Sequence, residues 1–245
     1  LPLPIASITK LMTAMVVLDA KQPLNERISF TEEQRRANNN YYSRIRVGST
    51  LPRKDVMRIA LMSSENLAAA ALGHNYPGGI KAFVKAMNSK ARALGMRHTL
   101  FVDSTGLSEK NVSTAADLAL MVSAAAKYPA INQFSTTPSF TARFKNPRYV
   151  LGYGNTNSLV HRSNWEIDIT KTGYLNEAGR CLVMLTKIDG REVVMVLLNS
   201  FGKRTPVGDA GRIKRWLQTG SSGTISQTAR AYEKKIMAQL SAVLN

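Results

Sequence analysis

The sequence predicts an α+β fold, an antiparallel sheet flanked by helices with a helical subdomain, and three observations predict it. The middle of the chain carries helical spacing, clearest at Ile80, Phe83, Val84, Met87, Ala91 and Leu94. The last third alternates instead, with Trp165, Ile167 and Ile169 set against Glu166, Asp168 and Thr170. Within that third, Cys181–Ile188 and Val193–Leu198 are joined through Asp189-Gly190, a strong hairpin signal. Helices and strands so segregated pack as helices on an antiparallel sheet. A length of 245 residues with 44% hydrophobic content suits one domain with an appendage, divided at 1–220 and 221–245.

Each element has its own signal. Leu11, Met12, Ala14, Met15, Val16, Val17 and Leu18 are apolar almost all round, as in a helix buried inside a domain. Lys21–Asn25 breaks it, and Arg27–Phe30 reads as a short strand. Thr31–Thr50 is polar and reads as an exposed excursion with Asn38–Asn40 at its tip. Pro52 suits the first turn of a helix whose apolar face is Val56, Met57, Ile59, Ala60 and Leu61. Ser64 and Asn66 then sit between apolar segments, as N-caps for the helix beginning near Leu67, as chemical groups, or as both. The Gly78–Leu94 helix ends at Gly95, and Phe101–Leu107 is turn chemistry. Thr114-Ala115-Ala116-Asp117 is a capping signature for a helix through Ala126, ahead of Pro129. Phe134–Ser163 is rich in Thr, Asn, Pro and Gly and reads as a long irregular segment. Asp209–Leu217 reads as a basic helix with Trp216 on its apolar side. The tail places Ile225, Ala229, Tyr232, Ile236, Leu240 and Val243 at helical spacing, a helix packed on the body or an amphipathic surface-seeking one.

Lysine and arginine total 33 against 16 acidic residues, a formal net charge of +17. Such a balance favours acidic partners: nucleic acid, an anionic membrane surface or a polyanionic wall polymer. The aromatic residues, 7% of the chain, do not interleave with the basic runs as base-stacking platforms would, so nucleic acid is not expected. The single cysteine, Cys181, allows no internal disulfide and reads as a core residue, in keeping with cytosol or periplasm. No run of 18 apolar residues suggests a membrane span. The chain begins abruptly, without methionine, and residues upstream of Leu1 are expected. His74, His98 and His161 are isolated, without metal-ligand spacing, and neither a Gly-x-Ser-x-Gly elbow nor a phosphate loop occurs. No metal and no cofactor are expected.

The chemistry concentrates in three short motifs. Ser7-Ile8-Thr9-Lys10 places a hydroxyl and an amine three residues apart, on one face if Ser7 opens a helix. A serine hydroxyl needs a neighbouring base, and a lysine serves as one only when burial or a second cation lowers its pKa. Alone, such a tetrad is as readily a helix cap followed by a surface lysine. Here it leads an apolar helix. It is followed in order by Ser64-Glu65-Asn66 beside a helix and by Lys171-Thr172-Gly173 at the end of a strand. Together the three form the signature of penicillin-binding proteins and class A β-lactamases, with serine as nucleophile.

The surrounding sequence resembles the low-molecular-mass penicillin-binding D-alanyl-D-alanine peptidases. Pro4–Thr13 is similar to their active-serine segment and Leu61–Asn66 to their second motif. Phe101–Leu107, Val112–Leu118, Asn155-Thr156-Asn157 and Gly179–Leu182 also match, and Tyr76–Gly79, Lys81–Phe83 and Asn164-Trp165 are similar to the endopeptidase branch. The likeness runs nearly to Trp216. It implies a DD-peptidase/β-lactamase-like catalytic domain over 1–220, a periplasmic location, and peptidoglycan peptides and β-lactam antibiotics as ligands.

The resemblance also implies roles. Ser7 is the nucleophile, Lys10 its base, Ser64 a proton relay to the leaving amine, and Asn66 a holder of Lys10 and the substrate amide. Lys171 supplies positive potential that helps depress the Lys10 pKa, Thr172 binds a substrate carboxylate, and Tyr174 after Gly173 gives a backbone N–H to the oxyanion hole with Ser7. Two departures stand out: the family's strands ahead of the active-site helix have no counterpart, and Leu175 replaces a usual threonine.

Three rival readings are distinguishable. A class A β-lactamase takes its deacylating glutamate from a Glu-x-x-Leu-Asn loop, and none lies between Asn66 and Lys171. A D-Ala-D-Ala carboxypeptidase shares all these residues, but many carry a β-rich domain larger than the roughly thirty residues after Trp216, which favours the endopeptidase. A non-enzymatic polyanion binder would rest on charge alone.

Overall fold

The computed structural model describes residues 1–37 and 42–244, without the side chains of 239–244. The predicted tip at Asn38–Asn40 lies outside the described residues. A first strand, β1 (Leu3–Pro4), leads through a 3₁₀ turn at Ala6–Ile8 into helix α1 (Thr9–Asp19). Residues Thr9 to Val17 of α1 are all buried, which is why the segment carries apolar groups on every side. The predicted strand forms as β2 (Arg27–Ser29) and pairs antiparallel with β3 (Thr50–Pro52).

The excursion between β2 and β3 is less exposed than its polarity suggests. It contains helix α2 (Glu32–Ala37), and Gln34, Ile45 and Ser49 are buried. Thr31 and Gln34 bond each other's backbone amides through their side chains, a capping box at the start of α2. Pro52 ends β3 and immediately precedes helix α3 (Arg53–Met62).

Four further helices build the helical half: α4 (Asn66–His74), α5 (Gly79–Ala93), α6 (Ala115–Ala125) and α7 (Pro129–Ser135). Helix α5 ends as expected, with Gly95 at φ +78°. The α6 cap is also as read, the Thr114 hydroxyl accepting from Asp117 N–H at 3.1 Å. Strand β4 (Val112–Ser113) pairs with β1 and ties the start of the chain to the entrance of α6. The hairpin β5 (Ser139–Phe144)–β6 (Tyr149–Gly154) occupies sequence read as irregular, and helix α7 forms in the stretch ahead of it to which no element was assigned. Pro129 there is a helix-initiating residue rather than only a stop.

The main sheet is the antiparallel meander β7 (Glu166–Leu175), β8 (Gly179–Ile188) and β9 (Arg191–Ser200). Strand β7 carries the Lys-Thr-Gly motif toward its C-terminal end, as read. Asp189 and Gly190, at φ +50° and +75°, make the predicted tight turn. On β8, Cys181, Val183 and Leu185 join the core of the helical half, while Leu182, Met184 and Ile188 join a second cluster beneath helix α8 (Thr205–Thr219). Both faces are covered, so the strand is continuously apolar where a half-exposed one would alternate.

Trp216 is 55% exposed rather than packed. The α8 residues that join the second cluster are Val207, Ala210 and Ile213, and that stripe stops one turn before it. The last helix, α9 (Gln227–Leu244), returns to the body through Tyr232. Its hydroxyl donates to Asn199 Oδ1 at 2.9 Å and its ring lies 5.0 Å from that of Phe201. No helix among the described residues is long and apolar enough to cross a membrane.

Candidate active site

The start of α1, the α3–α4 junction and the edge strand β7 meet at one cleft of about 500 Å³, lined among others by Ser7, Ser64, Asn66, Thr172, Gly173 and Tyr174. All eight predicted site residues lie in or directly beneath it.

Ser7 sits in the 3₁₀ turn that opens α1, and Lys10 lies one turn on, so the two side chains stack on one face. Lys10 Nζ is 2.8 Å from Ser7 Oγ, 2.8 Å from Asn66 Oδ1 and 2.6 Å from the Thr105 carbonyl oxygen. The last two partners can only accept. They take two N–H bonds of a neutral amine and leave its lone pair directed at the Ser7 hydroxyl. Burial brings the Lys10 pKa down from 10.5 to about 7, against the opposing pull of Asp103 and Glu65.

The lysine's desolvation, rather than the potential of Lys171, is therefore the main cause of its low pKa. Lys171 is itself held well below the ordinary lysine range, by burial first and by the Lys10 charge second. Its Nζ donates to Ser64 Oγ at 3.0 Å and to the Thr172 carbonyl at 2.8 Å.

Neither Ser64 nor Asn66 caps α4. Glu65 does, its carboxylate accepting from Leu67 N–H at 3.2 Å. Asn66 thereby becomes the first helical residue, and Ser64 takes φ +59° in the turn before it. Ala6, just ahead of Ser7, is likewise at φ +46°. Non-glycine residues in this region cost about 1–3 kcal/mol each, and here they carry or adjoin the Ser7 and Ser64 hydroxyls.

Residues that the motifs did not single out complete the site. Asp103 Oδ1 accepts from the amides of Thr105 and Gly106, both at 2.6 Å, and so fixes the turn that presents the Thr105 carbonyl to Lys10. Asp-Ser-Thr-Gly is a recognisable turn sequence, but nothing local says which cation its carbonyl meets. The hydroxyls of Thr172 and Thr156 are 2.6 Å apart at the cleft wall. On the opposite strand face, a Cβ on Gly173 would lie 3.1 Å from the Ile5 carbonyl oxygen and 3.2 Å from Ser7 N, so glycine lets β7 run against the nucleophile's backbone. Tyr174 is 48% exposed at the rim, under the Arg180 guanidinium at 3.7 Å.

Residues 1–202 match the peptidase family model described as D-alanyl-D-alanine carboxypeptidase. The chain belongs to this D-alanyl-D-alanine peptidase family. The peptidase is 52% identical to the D-alanyl-D-alanine endopeptidase of Escherichia coli K12, over 98% of this chain and 77% of that protein. It is 55% identical to the protein of the same name from Pseudomonas aeruginosa, over 95% of this chain and 75% of that one. Its fold resembles the Streptomyces K15 DD-transpeptidase, with a TM-score of 0.81 and 27% identity over 88% of this chain and 87% of the other. In this peptidase, then, the α+β architecture read from the sequence is that of a DD-peptidase.

Proposed function

We infer that the peptidase is a serine D-alanyl-D-alanine endopeptidase that hydrolyses peptidoglycan cross-links in the periplasm through an acyl-enzyme at Ser7. The observation that carries the chemistry is the buried Lys10 amine, 2.8 Å from Ser7 Oγ and saturated on its other sides by carbonyl acceptors. The names of the two relatives above 50% identity support the endopeptidase reading.

Ser7 Oγ attacks the carbonyl of a D-alanyl peptide bond while Lys10 takes its proton. The backbone N–H groups of Ser7 and Tyr174 receive the developing oxyanion, each worth roughly 3–4 kcal/mol in related acyl transfer. Ser64, held by Lys171, passes a proton to the leaving amine. Asn66 fixes Lys10 and the substrate amide. Thr172, paired with Thr156, receives a substrate carboxylate. Water then releases the acyl group. A β-lactam follows the same first step and, without a dedicated deacylating carboxylate, stays attached. The +17 charge suits contact with anionic wall polymer or a membrane surface.

Labelling with a fluorescent penicillin tests the site: Ser7→Ala is expected to abolish it, and labelling that survives on folded Ser7→Ala protein overturns the assignment. Separate incubation with cross-linked muropeptide dimers and with a pentapeptide tests the activity. Dimer cleavage is expected. Release of terminal D-alanine alone selects the carboxypeptidase, which the family model's description favours.

A further inference from the structure

No Asp or Glu occurs between Glu33 and Asp55, nor between Asp117 and Glu166. The fold brings these two acid-free stretches together. Thr50 and Lys145 exchange backbone hydrogen bonds of 2.8 and 3.1 Å. The Tyr149 hydroxyl accepts from Arg46 N–H and lies 2.9 Å from Ser49 Oγ, while the Arg46 guanidinium rests over the Tyr149 ring at 4.8 Å. Arg44 donates to the Gly152 carbonyl and covers the Tyr153 ring at 5.0 Å.

Arg44, Arg46, Arg143, Lys145 and Arg148 are all exposed around this junction, and Arg143, Lys145 and Arg148 gather at the free end of the hairpin. Arg44 faces the half-buried Glu65, but none of the ion pairs among the described residues engages any of the five cations. The Phe144 and Tyr149 rings stack 4.6 Å apart on one face of the hairpin, while Arg143, Lys145 and Arg148 line a shallow depression together with Val150 on the other.

This face is continuous with the active-site cleft. Strand β6 leads from Tyr149 past Gly154, whose carbonyl accepts from Ser63 Oγ, to Thr156 at the cleft wall. Thr156 is anchored there by its N–H to the Met62 carbonyl at 2.9 Å. A polymer lying along β6 from the cleft would therefore pass over cations.

We propose that the β5–β6 hairpin face is an anion-binding track for the free carboxylates that recur along the peptidoglycan polymer, holding the strand while its cross-link occupies the cleft. The proposal rests on the endopeptidase reading for its substrate. A rigid row of cations beside a cleft raises the local concentration of a polyanion and adds a salt-dependent term to its capture, and it leaves the bond-breaking step alone. Small substrates that fill only the cleft gain nothing from it.

The triple variant Arg143→Gln/Lys145→Gln/Arg148→Gln, in the full chain, tests this. Sedimentation with purified insoluble peptidoglycan is expected to weaken about tenfold or more and to become less salt-dependent. Cleavage of the insoluble polymer is expected to fall with it, while penicillin acylation and cleavage of a soluble muropeptide dimer stay at the parent rate and report an intact fold. Polymer binding equal to the parent overturns the track. So does a variant that keeps polymer binding but loses binding to phosphatidylglycerol vesicles, which assigns the face to a membrane instead. Failure of the unaltered protein to be acylated or to cut the dimer sinks the endopeptidase reading by itself, because sedimentation needs no turnover.

Discussion

Gly106 lies so close to Ala6 that a Cβ built on it would stand 2.0 Å from the Ala6 carbonyl oxygen. The Asp103–Gly106 turn is thus pressed directly against the backbone that carries Ser7, and the same turn delivers the Thr105 carbonyl to Lys10.

Gly106→Ala is expected to damage stability and activity together. The residue is at φ +80°, and its neighbour at the contact is backbone, which cannot swing away. A loss of at least about 2 kcal/mol is expected in denaturant unfolding, with penicillin acylation falling more steeply than stability. Parent-like acylation in this variant would show that the turn does not set the nucleophile's position.

The acylation rate is expected to rise with pH and level off above about 7. Lys10 acts as base only when neutral. Its pKa lies at about 7, so its neutral fraction grows through that region. Glu65 opposes this lowering, so Glu65→Gln, which keeps an acceptor for Leu67 N–H, is expected to move the acid limb to lower pH. Glu65→Ala also removes the cap and is expected to cost about 1 kcal/mol of stability. Stopped-flow acylation across pH 5–9 reads the limb.

Thr172→Val removes a hydroxyl at the cleft wall while keeping shape. Loss of a hydrogen bond to a carboxylate corresponds to about 1.5–3 kcal/mol, roughly ten- to a hundredfold in kcat/KM. The loss is expected in KM for ligands bearing a free carboxylate beside the reacting carbonyl, penicillins included. A pure kcat effect would move Thr172 out of the binding role.

Tyr232→Ala removes the hydrogen bond to Asn199 and the contact with Phe201 that attach α9. Faster proteolytic trimming within 221–245 is expected, with penicillin acylation unchanged. A fall in acylation would make the last helix part of the catalytic unit rather than an appendage to 1–220.

The site was legible in the sequence to the extent that its chemistry is local. Ser7 and Lys10 share one helical turn, and Lys171, Thr172 and Gly173 share one strand, so spacing alone orders them. What spacing missed was supplied across the fold: the Thr105 carbonyl reaches Lys10 over 95 residues, and Thr156 meets Thr172 from another segment. The cap at α4 departs from the usual Ser and Asn because Ser64 and Asn66 are engaged by Lys171 and Lys10, which leaves the Glu65 carboxylate to accept from Leu67 N–H. The β5–β6 hairpin escaped notice although Phe140, Ala142 and Phe144 alternate with Thr141 and Arg143, because Asn, Pro and Gly around it dominate the composition. Trp216 was misplaced because helical spacing says which residues share a face, not where the neighbouring sheet stops.

Ser7 and Lys10 come from a single helical turn, whereas Ser64 and Lys171 come from separate elements, α4's approach and β7. A breathing motion that parts the sheet from the helical half would stretch the Ser64–Lys171 link first and leave Ser7 with Lys10 undisturbed. Ser7 and Lys10 would then stay paired in the open form, but attack, which draws on the Tyr174 N–H carried by β7, and the steps that follow it would wait for the halves to come together again.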